Sequence, residues 1–144
     1  MKHEEIIAAA REVIEANHTF VMATVGEDGA PRLRWMGDLV LEEPLTITLA
    51  ARAASRKMDQ IRSNPQGQLL FNNEGYERVV TLSGEYEIME DRESRQRIWE
   101  AMPSLKEFAS GPHDPELGLV RFATRRVELL ILREHGETPL VAEL

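Results

Sequence analysis

Ala50 to Pro65 reads AARAASRKMDQIRSNP, and it governs how the rest of the chain is read. A β-prone run, Leu45 to Ala50 (LTITLA), leads into it and ends in small residues. Ser55, Arg56 and Lys57 then open a short helix with Met58 and Ile61 as its inward residues, and Asn64-Pro65 closes it. A hydroxyl and two cations where a strand hands over to a helix make a good place to hold a phosphate. The unpaired N–H groups of the first helical turn add partial positive charge there. Cations in that turn oppose the helix dipole, so two adjacent ones point to a compensating anion; the alternative is an ordinary solvated helix start. Charge-assisted hydrogen bonds to a bound phosphate are worth roughly 1.5–3 kcal/mol each.

Upstream, Arg32-Leu33-Arg34-Trp35-Met36 lies in a β stretch whose alternation puts Arg32, Arg34 and Met36 on one face. Two arginines on one face are either both solvated or both aimed at an anion. Trp35 is open between a packing role and a wall for a ring-shaped ligand. Between Arg32 and Arg62 the chain carries six cations and four anions, a local excess of two in a protein of net charge -8. That balance suits a small anionic ligand and equally a solvated face. The overall acidity argues against nucleic acid and against an anionic membrane surface.

The 144 residues suffice for one domain, 1–144, with a real core. Cysteine is absent, which removes disulfides, thiol nucleophiles and thiolate metal sites. The charged, amphipathic N-terminus predicts no signal peptide, and no run approaches the roughly 18 apolar residues of a membrane span. A cytoplasmic protein is expected. His3, His18, His113 and His135 are scattered without metal-ligand spacing, so surface or loop roles and no metal site are expected. No GxGxxG, GxSxG, HExxH or phosphate-loop pattern occurs, and the catalytic residues stay unknown. Glu42-Glu43 and Glu90-Asp91 read as turn and cap residues; Trp99 and Phe108 read as core or interface residues.

Along the chain, residues 3–17 place Ile6, Ile7, Ala10, Val13 and Ile14 on one helical face. Thr19 to Val25 is a predicted strand, Gly26-Glu27-Asp28-Gly29 a turn, and Pro31 to Leu41 the second half of a hairpin. After the Ser55–Asn64 helix come strands at Gln68–Phe71 and Arg78–Met89, with Gly84 hinting at a bulge or a close backbone approach. Asp91 is an expected N-cap for a helix through Met102 with Ile98, Trp99 and Met102 facing in. Pro103 to Pro115 reads as a loop, Leu119 to Leu132 as one long strand or two around Arg125-Arg126, and the tail after Arg133 as polar and exposed. About six short antiparallel strands in one small domain favour closure into a barrel flanked by helices.

These segments together resemble the pyridoxamine 5'-phosphate oxidase-like, FMN-binding split-barrel family. The resemblance spans about residues 5 to 132 and is carried by TFVMATVGEDGAPRLRWM (19–36), ITLAARAASRKMDQIRSNPQGQLLF (47–71), VTLSGEYEIMED (80–91) and VRFATRRVELL (120–130). The second segment is the specific one, because Ser-Arg-Lys after a strand and a later Asn-Pro form the flavin phosphate site in that family. The resemblance implies a mainly β (α+β), six-stranded antiparallel split β-barrel with flanking helices. It implies that Ser55, Arg56 and Lys57 hold the FMN phosphate, that Arg34 joins them from the barrel, and that Trp35 and Met36 lie along the isoalloxazine. Ala51 stands in the cofactor shell where many relatives carry threonine, and Val79 where the true oxidases carry a polar flavin contact. The arginine-bearing C-terminal extension that recognises the pyridoxal substrate is not visible, so pyridoxamine-phosphate oxidation itself is not expected. The implied protein is a homodimer with cofactor sites at its interface, an FMN-dependent oxidoreductase acting on an unidentified small substrate or NAD(P)H. The alternative is a non-catalytic or stress-associated protein binding FMN, haem or a deazaflavin.

Overall fold

A computed structural model describes residues 1–136 and 138–144, with only the backbone of His135. Glu137, within the tail expected to be exposed, and the His135 side chain lie outside the described residues. Helix α1 (His3–Ala16) leads into β1 (Thr19–Val25), which pairs antiparallel with β2 (Pro31–Gly37) across the Gly26–Gly29 turn. Gly29 takes the positive φ (82°) that this turn requires. Then come β3 (Val40–Glu42), β4 (Thr46–Arg52), α2 (Arg56–Ser63), β5 (Gln66–Asn72) and β6 (Arg78–Ile88). Helix α3 (Arg92–Ala101), the long β7 (Leu117–Ile131), the short α4 (Leu132–His135) and β8 (Leu140–Glu143) complete the chain.

The strands form one antiparallel sheet in the order β2-β1-β5-β6-β7-β4-β3, with β8 added beside β7. It curls into a half-barrel, so the fold is the mainly β split barrel that the resemblance implied, with eight strands among the described residues rather than six. The two extra strands have local causes. The hairpin arm expected to run from Pro31 to Leu41 breaks at Asp38, which adopts φ 65°. Its side chain accepts from the Leu39 N–H at 2.8 Å, and its own N–H donates to His18 O at 2.9 Å. An aspartate tolerates that conformation better than most residues. At the other end, β4 covers only Leu117–Ala123 of one β7 edge, and β8 pairs with Arg126–Leu129 farther along the same edge. The tail expected to be exposed thus protects backbone groups that the shorter strand leaves open.

Alternate residues of each strand build the main core: Phe20 and Met22, Ile47 and Leu49, Leu69 and Phe71, Val80 and Leu82, Val127 and Leu129. Helix α1 adds Ile6, Ala10, Val13 and Ile14 against β7 and β8, while Met58 and Ile61 of α2 enter from the end where β7 begins. A second cluster lies under α3, where Ile98 and Met102 meet Met89, Leu117 and Leu119, with Trp99 partly buried beside them. The expected cap holds, since the Asp91 side chain accepts from the Ser94 N–H at 3.0 Å. Phe108 is 62% exposed, so of the expected core or interface role the core half does not hold.

Gly84 serves the close approach its position suggested. The register skips Arg125 between the pairs Ser83↔Arg126 and Gly84↔Thr124, so the extra residue of the bulge belongs to β7. A Cβ on Gly84 would meet Ala123 O at 2.0 Å.

Candidate functional site

Helix α2 begins where β4 ends, and Ser55 is its N-cap in an extended conformation (φ -77°, ψ 158°). The Ser55 side chain makes no cap hydrogen bond, and its hydroxyl oxygen is buried without a partner among the described residues. A buried hydroxyl ordinarily finds a partner, and a capping serine ordinarily bonds its own helix. This one does neither.

Arg34 comes to the same place from β2. It pairs with Met22 across the β1–β2 ladder and therefore points to the interior face. Its Nη1 donates to Met22 O at 3.3 Å and its Nη2 to Gln60 Oε1 at 3.0 Å. Burial is the main cause holding its pKa below the ordinary guanidinium value, with the neighbouring charge of Arg56 contributing. Lys57 is likewise depressed, first by burial and then by the charge of Arg34. Arg34, Arg56 and Lys57 therefore feel one another as like charges, and among the described residues no carboxylate forms an ion pair with any of them. Three gathered cations that no carboxylate pairs directly are costly unless an anion joins them.

The remaining residues implied by the resemblance separate. Trp35 projects from the opposite face of β2 and is 70% exposed, so its side chain shares no face with Arg34. Met36 faces inward and packs on the main core. Ala51 is half-buried and lines a cavity of about 580 Å³ whose other walls include Ala53, Ala54, Phe108, Pro115 and Leu117. One wall of that cavity is fixed by Arg95 of α3. Its guanidinium donates to Pro112 O (2.8 Å), Met89 O (3.3 Å), Asp114 O (3.3 Å) and Leu117 O (2.9 Å).

Gln60, Thr24 and Tyr86 were not singled out in the sequence. Gln60 lies one helical turn after Arg56, on the same face of α2, a spacing that could have flagged it. Thr24 has the same strand parity as Met22, the cross-strand partner of Arg34. Its hydroxyl donates to Gln60 Oε1 at 2.6 Å. The Tyr86 hydroxyl donates to Ala23 O at 2.6 Å, and burial, slightly offset by the charge of Arg34, raises its pKa far above the ordinary phenol value.

The sequence profile of the pyridoxamine 5'-phosphate oxidase family matches residues 6–131. The chain belongs to that family. No curated protein sequence matches it, but solved structures share its fold. General Stress Protein 26 from Bacillus anthracis is 24% identical, with each chain covered over 100% of its length and a TM-score of 0.77. A pyridoxamine 5'-phosphate oxidase-related, FMN-binding protein from Nostoc punctiforme is 17% identical (98% of this chain, 91% of that one, TM-score 0.75). A haem-binding protein from Mycobacterium smegmatis is 15% identical (96% of this chain, 57% of that one, TM-score 0.77). The fold is thus shared by a protein described as FMN-binding and by one described as haem-binding. Among the described residues no helix is long and apolar enough to cross a membrane.

The residues present fit a flavin phosphate. Ser55 offers an unused hydroxyl, Arg56 and Lys57 offer unpaired charge at a helix start, and Arg34 keeps N–H groups free beyond the two it spends on Met22 and Gln60.

Proposed function

We propose that this chain binds FMN at the junction of β4 and α2 and works with it as an oxidoreductase on a small substrate or NAD(P)H, in the form of a homodimer. The observation that carries the reading is the cluster of Arg34, Arg56 and Lys57, none of them ion-paired to a carboxylate among the described residues, beside the buried, unpartnered Ser55 hydroxyl. Ser55, Arg56 and Lys57 would hold the phosphate, with Arg34 reaching it from inside the barrel. Bound FMN supplies one- and two-electron redox chemistry that side chains lack. The protein's own contribution is to grip the anion, orient the cofactor and keep water from one side of it. The absence of a triad or metal motif agrees with such a division of labour. The homodimer reading is supported by Leu33 and Trp35 of β2 and Leu70 of β5, which are exposed on the outer face of the sheet on either side of β1.

The haem reading draws on the Mycobacterium smegmatis likeness, and the two histidines considered for it, His18 and His113, are both exposed. His18 Nδ1 stands 3.6 Å from Asp38 Oδ1, at the opposite end of β1 from Thr24. His113 is exposed, and desolvation followed by the charges of Arg92 and Arg95 lowers its pKa. Reconstitution with FMN, read by absorption, tests the proposal. The wild-type protein should hold flavin, and Arg56→Ala combined with Lys57→Ala should release it. Unchanged occupancy in the double variant refutes the anchor, and a Soret band in place of flavin refutes the cofactor. Bleaching of the bound flavin by NAD(P)H then distinguishes an enzyme from a carrier.

A further inference from the structure

We infer that Gln60 is a positioning residue of the anion site: it clamps the Arg34 guanidinium in the orientation that presents its free N–H groups to the flavin phosphate, and Thr24 clamps Gln60 in turn. This inference rests on the FMN reading above and assigns a role to two residues outside the Ser-Arg-Lys segment.

The chemistry of the donors fixes the network. Arginine can only donate, so the Gln60 atom 3.0 Å from Arg34 Nη2 must be the carbonyl oxygen. That oxygen also lies 2.6 Å from Thr24 Oγ1, so the threonine hydroxyl must donate as well. Both acceptor sites of one amide oxygen are then filled. Thr24 is 1% exposed, on a strand whose inward residues belong to the core, so its hydroxyl has little freedom to seek water. On its second side the guanidinium is tied to Met22 O at 3.3 Å. Two acceptors on two different elements, β1 and α2, leave the planar fork a single orientation.

The arrangement costs something that a merely structural glutamine would not. Arg34 is held partly buried beside Arg56 and Lys57, where its charge is least welcome. Gln60 binds it there with a neutral oxygen, which orients the charge without cancelling it. A carboxylate at this position would satisfy the same geometry and neutralise one cation of the cluster. Gln60 also lines a cavity of about 350 Å³ with Arg56, Arg32, Glu27, Asp28 and Asp59, and its amide nitrogen has no partner among the described residues.

The test compares FMN with riboflavin, which lacks the phosphate, by titration calorimetry on the full chain. Wild type should prefer FMN. Gln60→Met, close in shape but without the acceptor, should lower FMN affinity by about tenfold while riboflavin affinity changes less than about twofold, a loss of one oriented charge-assisted bond. In an Arg34→Met background the same substitution should cost nothing further, because Gln60 acts only through Arg34. Equal losses for both flavins, additive losses in the double variant, or no loss at all overturn the assignment while leaving the FMN reading intact. A wild-type chain that binds neither flavin overturns both. Should Gln60→Met fail to fold, Thr24→Val removes only the bond that fixes Gln60. It should reduce the FMN preference by about threefold, and an unchanged preference overturns the assignment.

Discussion

The inner face of β2 carries Arg34, half-buried and tied to Met22 O and Gln60 Oε1, while one residue away on the outer face Leu33 and Trp35 stand 68% and 70% exposed. A strand with one face on a core normally does the reverse, apolar inward and polar outward. Met36 does follow the usual rule farther along, so the inversion is confined to the part of the strand that faces α2. Each side of it asks for something the single chain lacks: the inner face a negative charge, the outer face an apolar surface. The inner demand is the more specific, because it comes with directed donors and an unused buried hydroxyl. The outer one is only an area, which is why the proposed subunit contact is tested by assembly and the proposed phosphate grip by affinity.

The contrast breaks most severely at Gly67. A Cβ there would lie 2.0 Å from Tyr86 Cε2, and Tyr86 packs inside the barrel with its hydroxyl on Ala23 O. Gly67→Ala should destabilise the fold by about 3 kcal/mol in urea unfolding, since an overfilled interior has no soft neighbour to move. Next in size, Arg34→Met should weaken FMN binding by about 2 kcal/mol, roughly 30-fold, and leave riboflavin nearly untouched in the same titration. An equal loss for both would mean that the inner face serves the ring and not the phosphate.

Lys57 supplies a smaller, pH-dependent effect. Burial and the charge of Arg34 hold its pKa below 10.5 in the free protein, and a bound anion favours its protonated form. FMN affinity should therefore stay level near neutrality and fall as pH climbs through that lowered pKa, by at most about tenfold per unit. The flavin-free fold should move the other way. Between the lowered pKa and the ordinary lysine value the folded chain binds fewer protons than the unfolded one, so its stability should rise with pH across that window. Smallest for the fold of the single chain, Leu33→Ser with Trp35→Ser should change unfolding by less than about 0.5 kcal/mol when both proteins are compared at concentrations that keep them monomeric, because both side chains are then largely in water. Sedimentation should nevertheless show the proposed dimer lost; an unaltered sedimentation profile would move the contact elsewhere.

Much of this was legible in the sequence where local chemistry decides the outcome. TFVMATV defines β1 to the residue, the Asp91 cap forms, and Ser55 stands at the start of α2 as its neighbours suggested. Gly84 disclosed a close approach, although the bulged residue turned out to be Arg125 on the partner strand. What stayed hidden depends on partners far away in the chain. The break at Asp38 relies on His18 and Ser104, and β8 exists because β4 stops short along β7. In the site, alternation separated Arg34 from Trp35, and helical spacing could have put Gln60 on the Arg56 face of α2, but its bonds to Thr24 and Arg34 stayed hidden because those residues come from two strands distant in the chain.

Arg95 holds four backbone carbonyls beneath the 580 Å³ cavity, and its consequence concerns endurance. Neither a guanidinium nor a peptide oxygen changes protonation in any medium a cell inhabits. The Asp114 carboxylate feels the Arg95 charge but spends its hydrogen bonds on Ser110 and the Glu116 N–H, so the four direct bonds of the clasp give added electrolyte little ionic attraction to dilute. The Pro112–Leu117 wall should keep its contour from mildly acidic to alkaline solution, even where the proposed lysine-dependent grip nearby would begin to fail.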